Sequence, residues 1–184
     1  MKRTHTNGEL RLSDAGKQVS LIGWVAKRRN FGSLVFIDLR DRSGITQLVF
    51  DETISEQIKE VRNEYILEVS GTVLERKDKN DKLPTGDIEV KVEEVVIVNS
   101  AETTPIIVAD DTDALEDTRL KYRYLDLRRP VMQKKLMMRH QITRSMREYL
   151  DNHAFIEIET PMLGRSTPEG ARDYLVPSRV HPGS

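Results

Sequence analysis

The chain has 184 residues, of which 38% are hydrophobic and 32% charged; its formal net charge is −1 and it contains no cysteine. The missing thiol excludes disulfides, thiolate metal sites and cysteine nucleophiles, and the near-zero charge argues against a protein that holds nucleic acid by bulk attraction alone. No apolar run approaches the ~20 residues that span a bilayer, and the basic N-terminus, MKRTHTNGELRLSD, lacks the apolar stretch of a secretory signal; the expectation is a cytoplasmic chain without membrane association.

In chain order, residues 18–28 (QVSLIGWVAKR) alternate, with Val19, Leu21, Gly23 and Val25 on one face, as a half-buried strand does. RRNFGS follows as a turn, since Asn30 and Gly32 tolerate positive φ. Residues 33–40 (SLVFIDLR) predict a second strand, DRSG a second turn and 45–51 (ITQLVFD) a third strand. In ETISEQIKEVRNE, Ile54, Ile58 and Val61 recur at helical spacing, predicting a short amphipathic helix. Strands return at 65–76 and 87–98, separated by the polar loop KDKNDKLPTG.

Three strands, a helix and two strands is the order of a five-stranded OB-fold barrel, although another small barrel or sandwich would give a similar string. The division expected is an OB-fold domain over 1–100, a linker over 101–129 and the start of a further domain over 130–184. The linker opens with the acidic, turn-rich SAETTPIIVADDTDALEDT. Pro130 suits the first turn of a helix, and Leu136, Ile142, Met146, Tyr149 and Leu150 extend the helical spacing to about Asn152. FIEIE at 155–159 alternates as a strand, which Pro161 ends by removing a ladder donor. One helix and one strand do not close an α/β core, so residues 130–184 read as part of a larger domain.

Alternation in the second strand sends Val35, Ile37 and Leu39 to the core and Phe36, with Asp38 and Arg40, to the opposite face. An outward aromatic on such a barrel is a platform for an unpaired base, a singly exposed phenylalanine, or a ring covered by the linker. Arg29 and Gln47, on the flanking strands, add a guanidinium and an amide able to bond base edges. Glu89 faces outward with Lys91 and Glu93; it can accept hydrogen bonds from guanine, or can belong to an outer face of alternating charge. The basic clusters at Lys27–Phe31 and Arg119–Arg129 read, from charge alone, as solvated surface.

GWVAKRRNFGSLVFIDLRDRSGITQLVF resembles the anticodon-binding OB domain of the class IIb aminoacyl-tRNA synthetases, RYLDLRRP resembles the junction to their catalytic domain, and FIEIETPML with the preceding helix resembles class II motif 1. STPEGARDYLVPSR is similar to the mobile active-site loop of the bacterial-type aspartyl members of that family, and differs from the lysyl and asparaginyl ones. The resemblance spans essentially the whole chain. It implies a mainly β fold with added α: the OB barrel, a linker and a partial class II catalytic domain. It implies anticodon contacts by Arg29, Phe36, Gln47 and Glu89, with Phe36 stacking on a central uracil whose edge Gln47 reads. Further anticodon contacts fall on Arg76 and Asn80. Glu169 is implied as the partner of the aspartate ammonium group in a loop containing Ser166, Thr167, Pro168 and Gly170, and Pro161 as part of the dimer-forming motif.

For the full-length enzyme the resemblance implies L-aspartate, ATP and Mg²⁺, a homodimer, and tRNA-Asp, with tRNA-Asn as a further acceptor. The arginines that grip ATP and the carboxylates that hold Mg²⁺ belong to motifs these 184 residues lack, so they are expected to hold neither cofactor nor metal and to form no adenylate. The competing reading is a stand-alone OB-fold protein that binds single strands with little sequence preference.

Overall fold

The computed structural model describes residues 2–165, 174 and 176–181. The chain divides into two compact units, Met1–Met138 and Arg139–Ser184.

The first unit is built on β1 (Gln18–Phe31), β2 (Leu34–Arg40), β3 (Ile45–Phe50), β4 (Ile66–Glu75) and β5 (Ile88–Asn99). The strands close into a barrel in the order β1-β2-β3-β5-β4. Every neighbouring pair is antiparallel except β3–β5, which is parallel. The inward alternation expected from the sequence fills the barrel: Val19, Leu21, Val25, Ile37, Leu39, Leu48, Phe50, Val90 and Val92 are all buried. Phe36 is not among these buried side chains; it is half-buried on the other face of β2.

β1 runs three residues further than the alternation suggests, to Phe31, and the turn shrinks to Gly32 and Ser33 because Phe31 pairs with Leu34. A two-residue hairpin needs left-handed backbone. Gly32 supplies it, with a positive φ. Within β1 the register against β2 slips: Val25 pairs with Leu39 but Lys27 with Asp38, leaving Ala26 as an extra residue.

The helix expected over 52–64 is cut short. Only Glu52–Ser55 (α1) is α-helical, followed by a 3₁₀ turn at Glu56–Ile58. Ile54, Ile58 and Val61 are buried in the core cluster as their spacing requires. The carbonyls of Lys59 and Val61 are satisfied from outside by the Arg28 guanidinium (2.9 and 3.0 Å), so the segment needs no further helical turn. Glu64 then adopts a positive φ, which no right-handed helix admits. Its N–H donates to the Val25 carbonyl at 2.8 Å.

The buried Glu64 carboxylate accepts from Arg40 Nη2 at 2.8 and 2.9 Å and from Arg128 Nη1 at 3.1 Å. The Arg128 guanidinium lies 4.8 Å from the centre of the Trp24 ring. This fork ties the segment beyond the barrel to β1 and β2. That segment carries α2 (Glu116–Lys121) and α3 (Arg123–Asp126). The buried Asp126 accepts from Arg129 Nη1 at 2.8 Å, and Arg129 also donates to the carbonyls of Ala109 (3.0 Å) and Asp110 (3.3 Å). The Asp110 carboxylate accepts from the N–H of Val131 at 3.0 Å, a remote cap for the first turn of α4.

α4 spans Pro130–Asn152, the extent read from the sequence. Its end carries paired bonds from Ala154 N–H to the Asp151 carbonyl and from Phe155 N–H to the Leu150 carbonyl, with Ala154 in the left-handed region. This is a Schellman closure built without glycine. Residues 155–159 form no strand; they are irregular and exposed, because among the described residues no strand lies beside them to complete a ladder. Pro161 accordingly ends no ladder and lies exposed in irregular backbone. No described helix is long and apolar enough to cross a membrane.

Two outcomes follow from the anchored segment. Glu64→Ala, which strands two arginines, is expected to cost roughly 3–5 kcal/mol in urea denaturation, and Glu64→Gly about 1 kcal/mol less because glycine relieves the left-handed backbone. The Asp126 pKa is lowered from its ordinary 3.8, first by the hydrogen bond from Arg129, against the opposing effect of burial. A lowered carboxylate stabilises the fold above its unfolded pKa and loses that contribution as pH falls through the folded value. The stability gap between the wild type and Asp126→Asn should therefore be full at neutral pH and narrow below pH 3.8 in parallel urea titrations.

Candidate nucleic-acid interface

The outer face of β1, β2, β3 and β5 brings four of the sequence-predicted residues together in two adjacent cross-strand rows. Arg29 pairs with Phe36 across β1–β2, Asp38 with Gln47 across β2–β3, and Gln47 with Glu89 across the parallel β3–β5 seam. Directly opposite strand residues share a face, so the Phe36 ring stands beside Arg29 and Val49, with Asp38 and Gln47 one pair further along.

The polar members form a continuous hydrogen-bonded chain. Arg29 Nη2 donates to Asp38 Oδ1 at 2.6 Å and to Gln47 Oε1 at 3.2 Å. Gln47 Nε2 donates to Glu89 Oε2 at 2.8 Å. Gln47 is only 7% exposed, whereas the Arg29 side chain is 40% exposed, so the amide is fixed in a shallow floor and the guanidinium lies at its edge. One amide N–H and one lone pair of Gln47 remain for an incoming group. Lys91, the next outward residue of β5, points its ammonium toward Asp51 at 3.8 Å. With Arg29 and Lys91 set against Asp38 and Glu89, the face is charge-balanced, and a ligand would be held by ring stacking and matched donors and acceptors more than by net attraction.

Arg29 owes its outward direction to the extra residue Ala26. The alternation that buries Val19, Leu21 and Val25 would carry Lys27 and Arg29 to the core face; the bulge inverts it. Arg28 then takes the inward side at the rim and bonds the Lys59 and Val61 carbonyls.

Arg76 and Asn80 are placed differently. Arg76 is half-buried just beyond β4, whose last pairs are Leu74 with Glu89 and Glu75 with Ile88, so it lies at the Glu89 end of that ladder. The Asn80 side chain is engaged in its own loop: Oδ1 accepts from the N–H of Lys82 at 3.1 Å, while its backbone N–H donates to the Gly86 carbonyl at 3.0 Å. A Cβ at Gly86 would fall 1.8 Å from the Asn80 carbonyl oxygen, so this loop base requires glycine. Ser166, Thr167, Pro168, Glu169 and Gly170 lie outside the described residues. Among the described residues, no group of three or more His, Cys, Asp or Glu side chains could hold a metal ion.

Two features escape a reading of the sequence alone. Alternation places Asp38 beside Phe36, yet nothing in the string shows that it clamps Arg29. The Glu64–Arg40–Arg128 fork joins residues 64 positions apart and leaves no local pattern.

Comparison with known proteins gives a consistent picture. A family model described as the OB-fold nucleic acid binding domain matches residues 19–98, and one described as tRNA synthetases class II (D, K and N) matches 115–184. The chain is 57% identical over 188 aligned residues to the Aspartate–tRNA(Asp/Asn) ligase of Bacillus anthracis (strain CDC 684 / NRRL 3495), covering 99% of this chain and 32% of that protein. The protein of the same name from Bacillus cereus (strain B4264) matches at the same identity and coverage. The chain thus spans about a third of the length of these curated relatives. Among solved structures, the aspartyl tRNA synthetase of Entamoeba histolytica superposes with a TM-score of 0.79 at 25% identity, over 88% of this chain and 40% of that one. The asparaginyl-tRNA synthetase of Pyrococcus horikoshii gives 0.76 at 25% identity, over 87% and 38%.

Phe36→Ala should change the urea-unfolding free energy by less than about 1 kcal/mol, whereas Ile37→Ala, one residue on and fully buried, should cost about 2–5 kcal/mol.

Proposed function

We propose that the chain belongs to the class II tRNA synthetases (D, K and N), as the matches over 19–98 and 115–184 and the 57% identity to the Bacillus ligases support, and that its barrel reads the anticodon of tRNA-Asp for an aspartate–tRNA ligase. The observation that carries this reading is the Phe36 ring on the outer face, flanked by the Arg29–Gln47–Glu89 chain. A base settling on that ring gains ~1–3 kcal/mol from stacking. The free N–H and lone pair of Gln47 suit the edge of a central uracil. Glu89, an acceptor, suits the N1–H and N2–H donors of guanine and disfavours bases that present acceptors there. Arg29, with N–H groups left beyond its bonds to Asp38 and Gln47, serves the acceptors of cytosine. Arg76 and Asn80 are assigned outer contacts with the anticodon loop, Asn80 through the amide nitrogen that its loop bond leaves free.

The chemistry of the whole protein is proposed on the names of its relatives. It activates L-aspartate by attack of the carboxylate on the α-phosphate of ATP, which expels pyrophosphate, and passes the aspartyl group to a hydroxyl at the 3′ end of tRNA-Asp, which releases AMP; Mg²⁺, when bound, would balance the phosphate charge. The names of the Bacillus relatives support tRNA-Asn as a second acceptor. Glu169 is assigned to the aspartate ammonium group, and the segment around Pro161 to a homodimer interface of a cytoplasmic enzyme.

Electrophoretic titration of the chain with an anticodon stem-loop carrying GUC, and with single-base triplet variants, tests the reading. Preference for GUC is expected, and equal affinity for every triplet would instead indicate a sequence-tolerant single-strand binder. Phe36→Ala should weaken GUC binding by ~1–3 kcal/mol with the fold intact; an unaltered dissociation constant would remove stacking from the mechanism.

A further inference from the structure

We propose that Asp38 is a positioning residue for base discrimination: it withholds Arg29 from RNA phosphates so that the guanidinium keeps the Gln47 amide one way round. The inference rests on the anticodon-reading function proposed above.

A glutamine amide presents a donor and an acceptor in an order that its neighbours decide. Here both neighbours agree. Arg29, which can only donate, faces Oε1, and the Glu89 carboxylate, which can only accept, faces Nε2. Uracil presents acceptor then donor at its 4- and 3-positions, and cytosine donor then acceptor. An amide fixed in one direction therefore separates the two on that edge, and a rotating amide accommodates both.

The weak point of the clamp is Arg29. Its side chain is 40% exposed, and its bond to Gln47 is the longer of its two at 3.2 Å. A phosphate is the strongest partner that an approaching RNA offers it. Asp38 answers that competition. Its side chain is 17% exposed, it lies on the same face of β2 as Phe36, and its Oδ1 takes the same Nη2 that reaches Gln47, at 2.6 Å. A carboxylate beside an RNA-binding surface ordinarily weakens binding by repulsion. Its presence is accounted for if the gain is specificity, a difference between affinities rather than an affinity.

The test uses the 184-residue chain with Asp38→Asn and Asp38→Glu, titrated with the GUC stem-loop and the GCC variant at several salt concentrations. For Asp38→Asn the expected result is GCC binding that is unchanged or tighter, a GUC/GCC affinity ratio reduced roughly tenfold, and a log–log salt slope steeper by about 0.7 as Arg29 is freed to neutralise one phosphate. Asp38→Glu, which keeps the charge, should retain most of the ratio. Circular dichroism melting monitors the fold, and a merely structural role would lower the melting midpoint and weaken both stem-loops equally. An equal loss for both triplets, an unaltered ratio in Asp38→Asn, or the same loss of ratio in Asp38→Glu would overturn the proposal. A wild-type chain without triplet preference would instead overturn the anticodon-reading function itself.

Discussion

The geometry of the outer face depends on one inserted residue. A barrel strand has two faces, and the core fixes which side chains go in; Val19, Leu21 and Val25 leave no freedom in that choice. Ala26 breaks the count, and from there onward the odd-numbered residues of β1 point outward. Arg29 meets Asp38 and Gln47 for that reason alone, and Arg28 is freed to finish the hydrogen bonding of the segment that plugs the barrel. Two adjacent arginines thus take unrelated positions, one finishing the hydrogen bonding of the core segment and one on the outer face proposed to bind.

The charge balance of that face bears on the composition of the whole chain. A net charge of −1 is an unpromising figure for an RNA partner if binding is imagined as attraction to phosphate. It is compatible with a surface in which cations are already paired with carboxylates and the ligand is selected by a ring and by fixed donors and acceptors. The same pairing explains how Glu89 is tolerated there: Gln47 donates to it, so it does not stand as a bare negative charge.

Much of the barrel was legible because its information is local. Strict alternation in LVFIDLR and ITQLVF marks both the buried face and the outward Phe36, and Pro130 with the periodic apolar residues marks α4 to its last turn. What stayed hidden depends on contacts distant in sequence. The helix expected over 52–64 ends early because Arg28 supplies its carbonyl partners and Glu64 turns left-handed to reach two arginines. Residues 155–159 have a strand's alternation, but alternation describes a face, and a strand also needs a neighbour. The candidate site was found by position on the sheet, whereas the Asp38 clamp and the direction of the Gln47 amide appear only once the side chains are placed.

The parallel seam has one more consequence. It joins β3 to β5 through three residue pairs, against ten between β4 and β5, so it is the shortest zipper in the ring and the natural place for the barrel to breathe. Gln47 and Glu89 sit astride it. A molecule that engages both would act as a staple across the loosest joint, and the same contact that identifies the ligand would stiffen the protein that holds it.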